Sequence, residues 1–254
     1  MFPRWRKKKR MIDAHSHIDL FDKMNTFFNS EKGVDIGVFA VGTTPKAYLK
    51  EKSMLKIFSN ICVGLGFHPQ LSGSGYDDII LFEKLIKHTR YIGEIGLDFS
   101  NSYLESKSLQ LNQFNKVIQL CEKEGNKVIS VHSLKAASTV IDVIAEYSQR
   151  KSNKYIMHWF TGSIPQVRRA VELGCFFSIN QRMANTKSGR EIICAIPNNK
   201  ILLETDAPFG SKYVSYSSLR QNLQSLQKNI SEIKGVDMAS VISKNEREVF
   251  ENLI

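Results

Sequence analysis

The segment MIDAHSHIDLF, Met11 to Phe21, decides how the rest of the chain is read. An apolar lead, an acid and then His15 and His17 with one residue between them fit the end of a β-strand. On a strand, residues two apart face the same side, about 6.5–7 Å apart along the chain. Two imidazoles placed that way can converge on one ion, and nitrogen ligands suit zinc, manganese, iron and nickel. Asp13 and Asp19 continue the same alternation and bring carboxylate oxygen within reach. The same pair is also compatible with an exposed strand edge, and the spacing alone does not separate the two.

Seven further segments share the β-branched and aliphatic character of the first. They are DIGVFAVGTT from Asp35, ICVGLGFHP from Ile61, YIGEIGLDF from Tyr91, KVISVHS from Lys127, YIMHWF from Tyr155, CFFSIN from Cys175 and KILLETDAP from Lys200. Helical patterns fill several of the intervals. LESKSLQLNQFNKVIQLCEKEG carries Leu109, Phe114, Val117, Ile118 and Cys121 near a helical period and ends at Gly125. LKAASTVIDVIAEYSQR and IPQVRRAVELG behave alike. Strands that are nearly all apolar, alternating with helices, indicate a parallel sheet covered on both faces. Eight of them are the number that closes a (β/α)8 TIM barrel, so the expected fold is a single-domain α/β barrel spanning residues 11–254.

In each segment the reactive side chains fall at the C-terminal end: His15 and His17, Thr43 and Thr44, His68, Glu94 and Asp98, His132, His158, Asn180, then Glu204 and Asp206. In a TIM barrel those ends share one rim, where active sites are built. Five of the six histidines lie there, and His88 alone falls elsewhere. Histidines that merely pack would not gather at the same end of five strands, so His15 and His17 read as ligands. A glutamate inside YIGEIGL is costly to bury unpaired, and a metal is a fitting partner for Glu94.

The composition bounds the rest. At 254 residues and 42% apolar content the chain can hold one large α/β domain. No apolar run approaches the roughly 20 residues of a membrane span. The basic start MFPRWRKKKR is followed by a segment too polar for a secretory signal. Cys62, Cys121, Cys175 and Cys194 form no CxxC and are expected as buried free thiols in a reducing cytoplasm. Arg4, Arg6, Lys7, Lys8, Lys9 and Arg10 supply six of the ten net positive charges, so residues 1–10 are expected to be a disordered basic extension. That extension is read either as a solvated tail or as a contact for polyanions.

Taken in order, IDAHSHID, GFHPQ, GEIGLDF, VHS, HWFTGS, FSIN, LLETDAPF and SKNEREVF resemble the successive motifs of the TatD family of metal-dependent nucleases, within the amidohydrolase-like barrels. The details VGTTPKAY, MHWFTGS and ELGCFFSIN look more like one branch, the small TatD-like nuclease subunit of Qat anti-phage defence systems. The resemblance implies two divalent ions (magnesium, manganese or zinc), a DNA substrate, partner proteins of a defence complex and no membrane. It implies that His15, His17 and Asp206 hold the first ion, that His132 and His158 hold the second, and that Glu94 bridges them. Asp206 and Glu94 then carry the catalytic work, with Glu204 beside them as a catalytic or positioning acid. His68, Trp159 and Lys135 are the expected substrate contacts.

Alternatives remain at several positions. Asp98 is read as a helix cap or as a support for the metals, and Trp159 and Phe160 as packing or as base-stacking residues. Thr161, Gly162 and Ser163 are a plain turn or phosphate donors, and Arg182 is a second cationic clamp. The sequence also departs from the family. Leu134 and Lys135 stand where many relatives carry an arginine, Gln181 replaces a glycine after FSIN, and FGSKYVSYSS replaces an arginine-rich segment. The six presumed ligands are kept, whereas the residues that select substrate are altered. A hydrolase of another bond, such as an aminoacyl-tRNA deacylase, and a partner-dependent subunit with weak intrinsic activity are the competing readings.

Overall fold

The computed structural model describes residues 11–21, 36–56, 58–148, 152–209 and 215–251. The basic extension at residues 1–10 lies outside them. All eight expected strands form: β1 (Met11–Ser16), β2 (Ile36–Val41), β3 (Ile61–Phe67), β4 (Tyr91–Gly96), β5 (Val128–His132), β6 (Lys154–His158), β7 (Phe176–Ile179) and β8 (Ile201–Leu203). Each pairs in parallel with the next in chain order. Just beyond β8 the chain returns to β1: the Asp206 N–H donates to the His15 carbonyl at 3.0 Å, and the His17 N–H to the Ala207 carbonyl at 2.8 Å. The sheet is a nearly closed barrel.

The helices between and after the strands are α1 (Pro45–Leu55), α2 (Ile79–Leu85), α3 (Lys107–Glu124), α4 (Ala137–Tyr147), α5 (Ile164–Glu172), α6 (Gln181–Asn185), α7 (Lys187–Ala195), α8 (Tyr216–Lys234) and α9 (Ala239–Val249). On α3 the predicted stripe is largely realised, since Phe114, Val117, Ile118 and Cys121 are buried. Leu109 is not, staying 40% exposed in the first turn beside Gly73. The helix stops at Gly125, whose φ of 68° suits glycine. Of the four cysteines, Cys62, Cys121 and Cys175 are buried as expected and Cys194 is exposed. On α7 the neighbouring Ile192 and Ile193 take the core-facing positions, which turns Cys194 outward. Among the described residues no helix is long and apolar enough to cross a membrane.

Two apolar cores result. One lies between the sheet and the surrounding helices. The other fills the lower barrel with Ile12, Phe39, Cys62, Val128, Ile156, Phe176 and Leu202, and Phe250 packs against it. Each such side chain, fully buried, contributes about 1.5–3 kcal/mol of transfer free energy. α9 docks at the same end, where Glu246 accepts the Ile12 N–H at 3.0 Å and the Asn245 amide donates to the Ile201 carbonyl at 2.8 Å.

The upper half departs from regular strand geometry. A Cβ on Gly66 would stand 1.9 Å from the Gly42 carbonyl oxygen, so only glycine permits this approach of β3 to the end of β2. Gly42 in turn accepts the Glu94 N–H at 2.7 Å and donates to the Gly93 carbonyl at 2.8 Å, tying β2 directly to the glutamate's backbone. The pairing register slips between Asp13 and Ser16, between Leu65 and Phe67, and between Ile92 and Ile95. Such irregularities re-aim side chains. Here they carry His15 and Glu94.

Candidate metal centre

Strict alternation on β1 would turn His15 away from the lumen, because Ile12 and Ala14 already face the lower core. The slip after Asp13 redirects it inward. His15 Nε2 then lies 3.3 Å from His17 Nε2. On β4, Tyr91 packs against the lumen and Ile92 and Ile95 face the helices, and the slip between those two isoleucines brings Glu94 to the lumen.

Glu94, 1% exposed, is the hub. Its Oε2 lies 3.2 Å from His17 Nε2, 3.2 Å from His68 Nε2 and 3.5 Å from His15 Nε2. Its Oε1 lies 2.7 Å from His132 Nδ1 and 3.7 Å from His158 Nε2. Asp206 Oδ1 is 3.7 Å from His15 Nε2 and 3.8 Å from His17 Nε2. Donor atoms thus gather in three overlapping sets, His15–His17–Glu94, His15–His158–Asp206 and His68–Glu94–His132. The sequence reading makes His68 a substrate contact, whereas the fold brings its ring onto the same carboxylate as the other imidazoles.

The chemistry of this set fits divalent cations. His17 Nδ1 and Asp206 Oδ1 are buried and have no hydrogen-bond partner among the described residues. Burying such atoms unsatisfied is costly, and an ion among them removes the cost. Outer contacts fix the rings. His15 Nδ1 sits 2.7 Å from Ser130 Oγ, which leaves Nε2 directed at the site. His158 stacks on His15 with ring centroids 3.6 Å apart, and its Nδ1 donates to Glu204 at 3.0 Å. His132 Nε2 donates to Asp98 Oδ2 at 3.2 Å, and Asp98 also accepts from Gln70 and from the Ser100 N–H. Of the two readings of Asp98, support for a site histidine is the one its contacts express.

Charges are strongly coupled here. Burial opposes ionisation of Glu94, yet His68, His15 and the His132 hydrogen bond hold its carboxyl well below the usual range. Burial also works against charged His132 and His158, but bonds to Asp98 and Glu94 push His132 up to about 9, and Glu204 pushes His158 up to about 10. Burial lowers His15 well below its ordinary value, helped by His158. Asp206 is pushed up to about 6 by burial. At neutral pH the metal-free site therefore carries protons on His132 and His158. An ion bound to those nitrogens displaces them, so its apparent affinity is expected to rise by about tenfold per pH unit per displaced proton between about pH 6 and 9. Calorimetry in buffers of different protonation enthalpy reads the proton release directly, and a pH-independent affinity would contradict it.

The remaining expectations divide. Glu204 does not reach the cavity: it is fully buried and is held by Ser178 Oγ, by Asn180 Nδ2 at 3.0 Å and by His158. It is therefore a positioning acid behind His158 rather than a group that meets substrate. Glu204→Gln is expected to weaken metal binding by about 10–100-fold while excess metal restores turnover. A metal titration of activity checks this, and an unchanged titration midpoint counts against it. Asp13 is likewise no ligand, since its carboxylate accepts the Thr205 N–H at 2.9 Å and the Thr205 hydroxyl at 2.5 Å. Asp19, near His17, is half-buried. Thr44 and Asn180 cap α1 and α6.

His17, His68, Glu94, His132, His158 and Asp206 line the floor of a cavity of about 460 Å³. Trp159, Arg182, Leu134 and Phe209 form its walls. The Arg182 guanidinium lies 5.2 Å from the Trp159 ring and donates to the Phe209 carbonyl at 2.8 Å. Phe160, by contrast, is fully buried core. Lys135 is not in this cavity and faces a neighbouring depression. Sequence reasoning missed Phe209, Gln70 and the serines 130 and 178. The two serines were detectable as lone polar residues inside apolar strands, but Phe209 carried no such signal.

The chain is similar to known proteins along nearly its whole length. Residues 12–251 match the family described as TatD related DNase. The uncharacterized metal-dependent hydrolase YabD of Bacillus subtilis (strain 168) is 26% identical over 256 residues, covering 94% of this chain and 98% of that protein. The putative deoxyribonuclease TATDN1 homolog of Encephalitozoon cuniculi is 28% identical, with 76% and 77% covered. Among solved structures, the TatD homolog YJJV from Escherichia coli K12 superposes with a TM-score of 0.79 at 17% identity, covering 95% of this chain and 98% of that one.

Proposed function

The chain belongs to the TatD-related DNase family of metal-dependent hydrolases acting on ester bonds, and on that premise we propose that it hydrolyses the phosphodiester bonds of DNA with two divalent ions. The observation that carries this reading is the buried carboxylate of Glu94 shared by imidazoles on both of its oxygens. One ion would be held by His15, His17 and Asp206 and the other by His132 and His158, with Glu94 between them and His68 as a further donor. Bound divalent ions lower the pKa of a coordinated water and stabilise charge on the scissile phosphate.

The chain's own groups do the rest. Asp206 lines the cavity, and its Oδ1, with no hydrogen-bond partner among the described residues, would take the proton of the attacking water. Its φ of 50°, a left-handed conformation for a non-glycine residue, turns the backbone at the point where the carboxylate enters the site. Glu204 and Asp98 hold the rings of His158 and His132. Trp159, with φ 36° and Arg182 over its ring, and Phe209, 55% exposed, offer an aromatic wall for unpaired bases. A metal floor sunk within such walls favours a strand end or a single strand over the middle of a duplex. The branch-level motifs VGTTPKAY and ELGCFFSIN support placing this activity in a Qat-type anti-phage system, alongside partner proteins.

The test is end-labelled single-stranded and duplex DNA incubated with magnesium, manganese or zinc, against EDTA and an Asp206→Asn control. Metal-dependent release of nucleotides, faster from single strands and absent in the variant, is the expected result. Intact DNA with every metal, together with release of a free acid from an aminoacyl ester, would replace it with the deacylase reading.

A further inference from the structure

We infer that the open depression beside the metal cavity is a second phosphate subsite, taking a phosphate next to the scissile one on the same strand. The inference rests on the phosphodiesterase reading above. The depression has a volume of about 450 Å³, and Ser133 and Thr161 line both it and the metal cavity, so the two are neighbours along one wall.

Three observations supply the ligand chemistry. Ser133 is 4% exposed, and its hydroxyl hydrogen-bonds to no protein group among the described residues, although it lies in the wall between the two cavities. α4 starts from Ala136 with no side chain capping it, so the N–H groups of Ser138 and Thr139 in its first turn have no acceptor within the helix. Such a terminus favours an anion. Lys135 lines the same depression from a left-handed turn (φ 52°), is exposed, and makes no ion pair among the described residues. The opposite side is different. There the Ser163 N–H already donates to Gln166 Oε1 at 2.7 Å, and Pro165 in the first turn of α5 has no N–H to offer. No carboxylate lines the depression. A hydroxyl, two amides and an ammonium without an acid among them match a phosphate group.

In this chain Lys135 would thus contribute by holding the strand beside the metals rather than at them. The measurement is the response of the Ser138 and Thr139 amide resonances in the full chain with magnesium. The probes are inorganic phosphate and, separately, a phosphorothioate tetrathymidylate that resists cleavage. Both are expected to shift these amides. Lys135→Glu is expected to weaken the response about tenfold, the loss of one charge-assisted contact, and Lys135→Arg to retain it. Shifts with phosphate alone would leave a site for free phosphate and remove the strand from it. No shift with either probe, or a response indifferent to Lys135→Glu, would overturn the subsite. Failure of the nuclease reading looks different: the amides respond, but no metal cleaves DNA.

Discussion

Replacing Glu94 by glutamine is expected to abolish turnover, by on the order of 10³-fold or more, in a protein that still folds. Among the described residues Glu94 is the one carboxylate that meets His15, His17, His68 and His132 within 3.5 Å. Glutamine keeps the volume but removes the charge and one acceptor oxygen. Charge stabilisation by a metal is worth several kcal/mol, and each ~1.4 kcal/mol is tenfold in rate. The loss should appear in metal content first, because a neutral bridge no longer offsets two cations. It should also lower the stability of the metal-free protein. His132 is held protonated in part by Glu94, and that contribution is present at neutral pH, below the raised value of about 9. Without the carboxylate, the protonated ring faces Asp98 alone. Metal analysis, calorimetric melting and the cleavage assay together check this, and a variant that binds both ions and turns over normally would refute the hub role.

Asp206→Asn should behave differently. Its carboxylate lines the cavity and has an oxygen with no hydrogen-bond partner among the described residues. An amide in its place can still lend an oxygen to the ion but cannot take a proton. The expected loss is in kcat, by about 10²–10⁴-fold, the range for removing a general base. Metal binding should persist, sustained by His15, His17 and Glu94. Turnover within a few-fold of the parent would assign the proton to another acceptor, and loss of metal without recovery in excess would make Asp206 chiefly a ligand.

The contrast between these variants follows from what surrounds each carboxylate. Glu94 belongs to a strand and is 1% exposed, with histidines around both oxygens. Asp206 belongs to the turn after β8, where two backbone bonds to β1 close the barrel. Barrel closure and the candidate metal centre therefore share the same few residues. The Asp206 N–H reaches His15 and the His17 N–H reaches Ala207, so the candidate ligands from the two ends of the barrel are set against each other by its own seam.

The periodicity of eight apolar segments carried the barrel, because strand and helix patterns are local and the parallel order follows from their alternation. It also carried the rim, since a side chain's place at the end of a strand is a matter of position in the chain. Those two facts put His15, His17, His68, Glu94, Asp98, His132, His158, Glu204 and Asp206 on one rim, and the resemblance of the motifs to a known family singled out six of them as ligands. What the sequence could not express was orientation. The register slips on β1, β3 and β4 depend on which strand lies alongside and on Gly66 meeting Gly42. They turn His15 and Glu94 inward against strict alternation and leave Asp13 to Thr205. For the same reason His68 joins Glu94, Glu204 supports His158 from beneath, and Lys135 faces a separate depression. Local pattern fixes which element a residue belongs to. The direction in which it points is decided by contacts between residues far apart in the chain, and only the closed barrel brings those together.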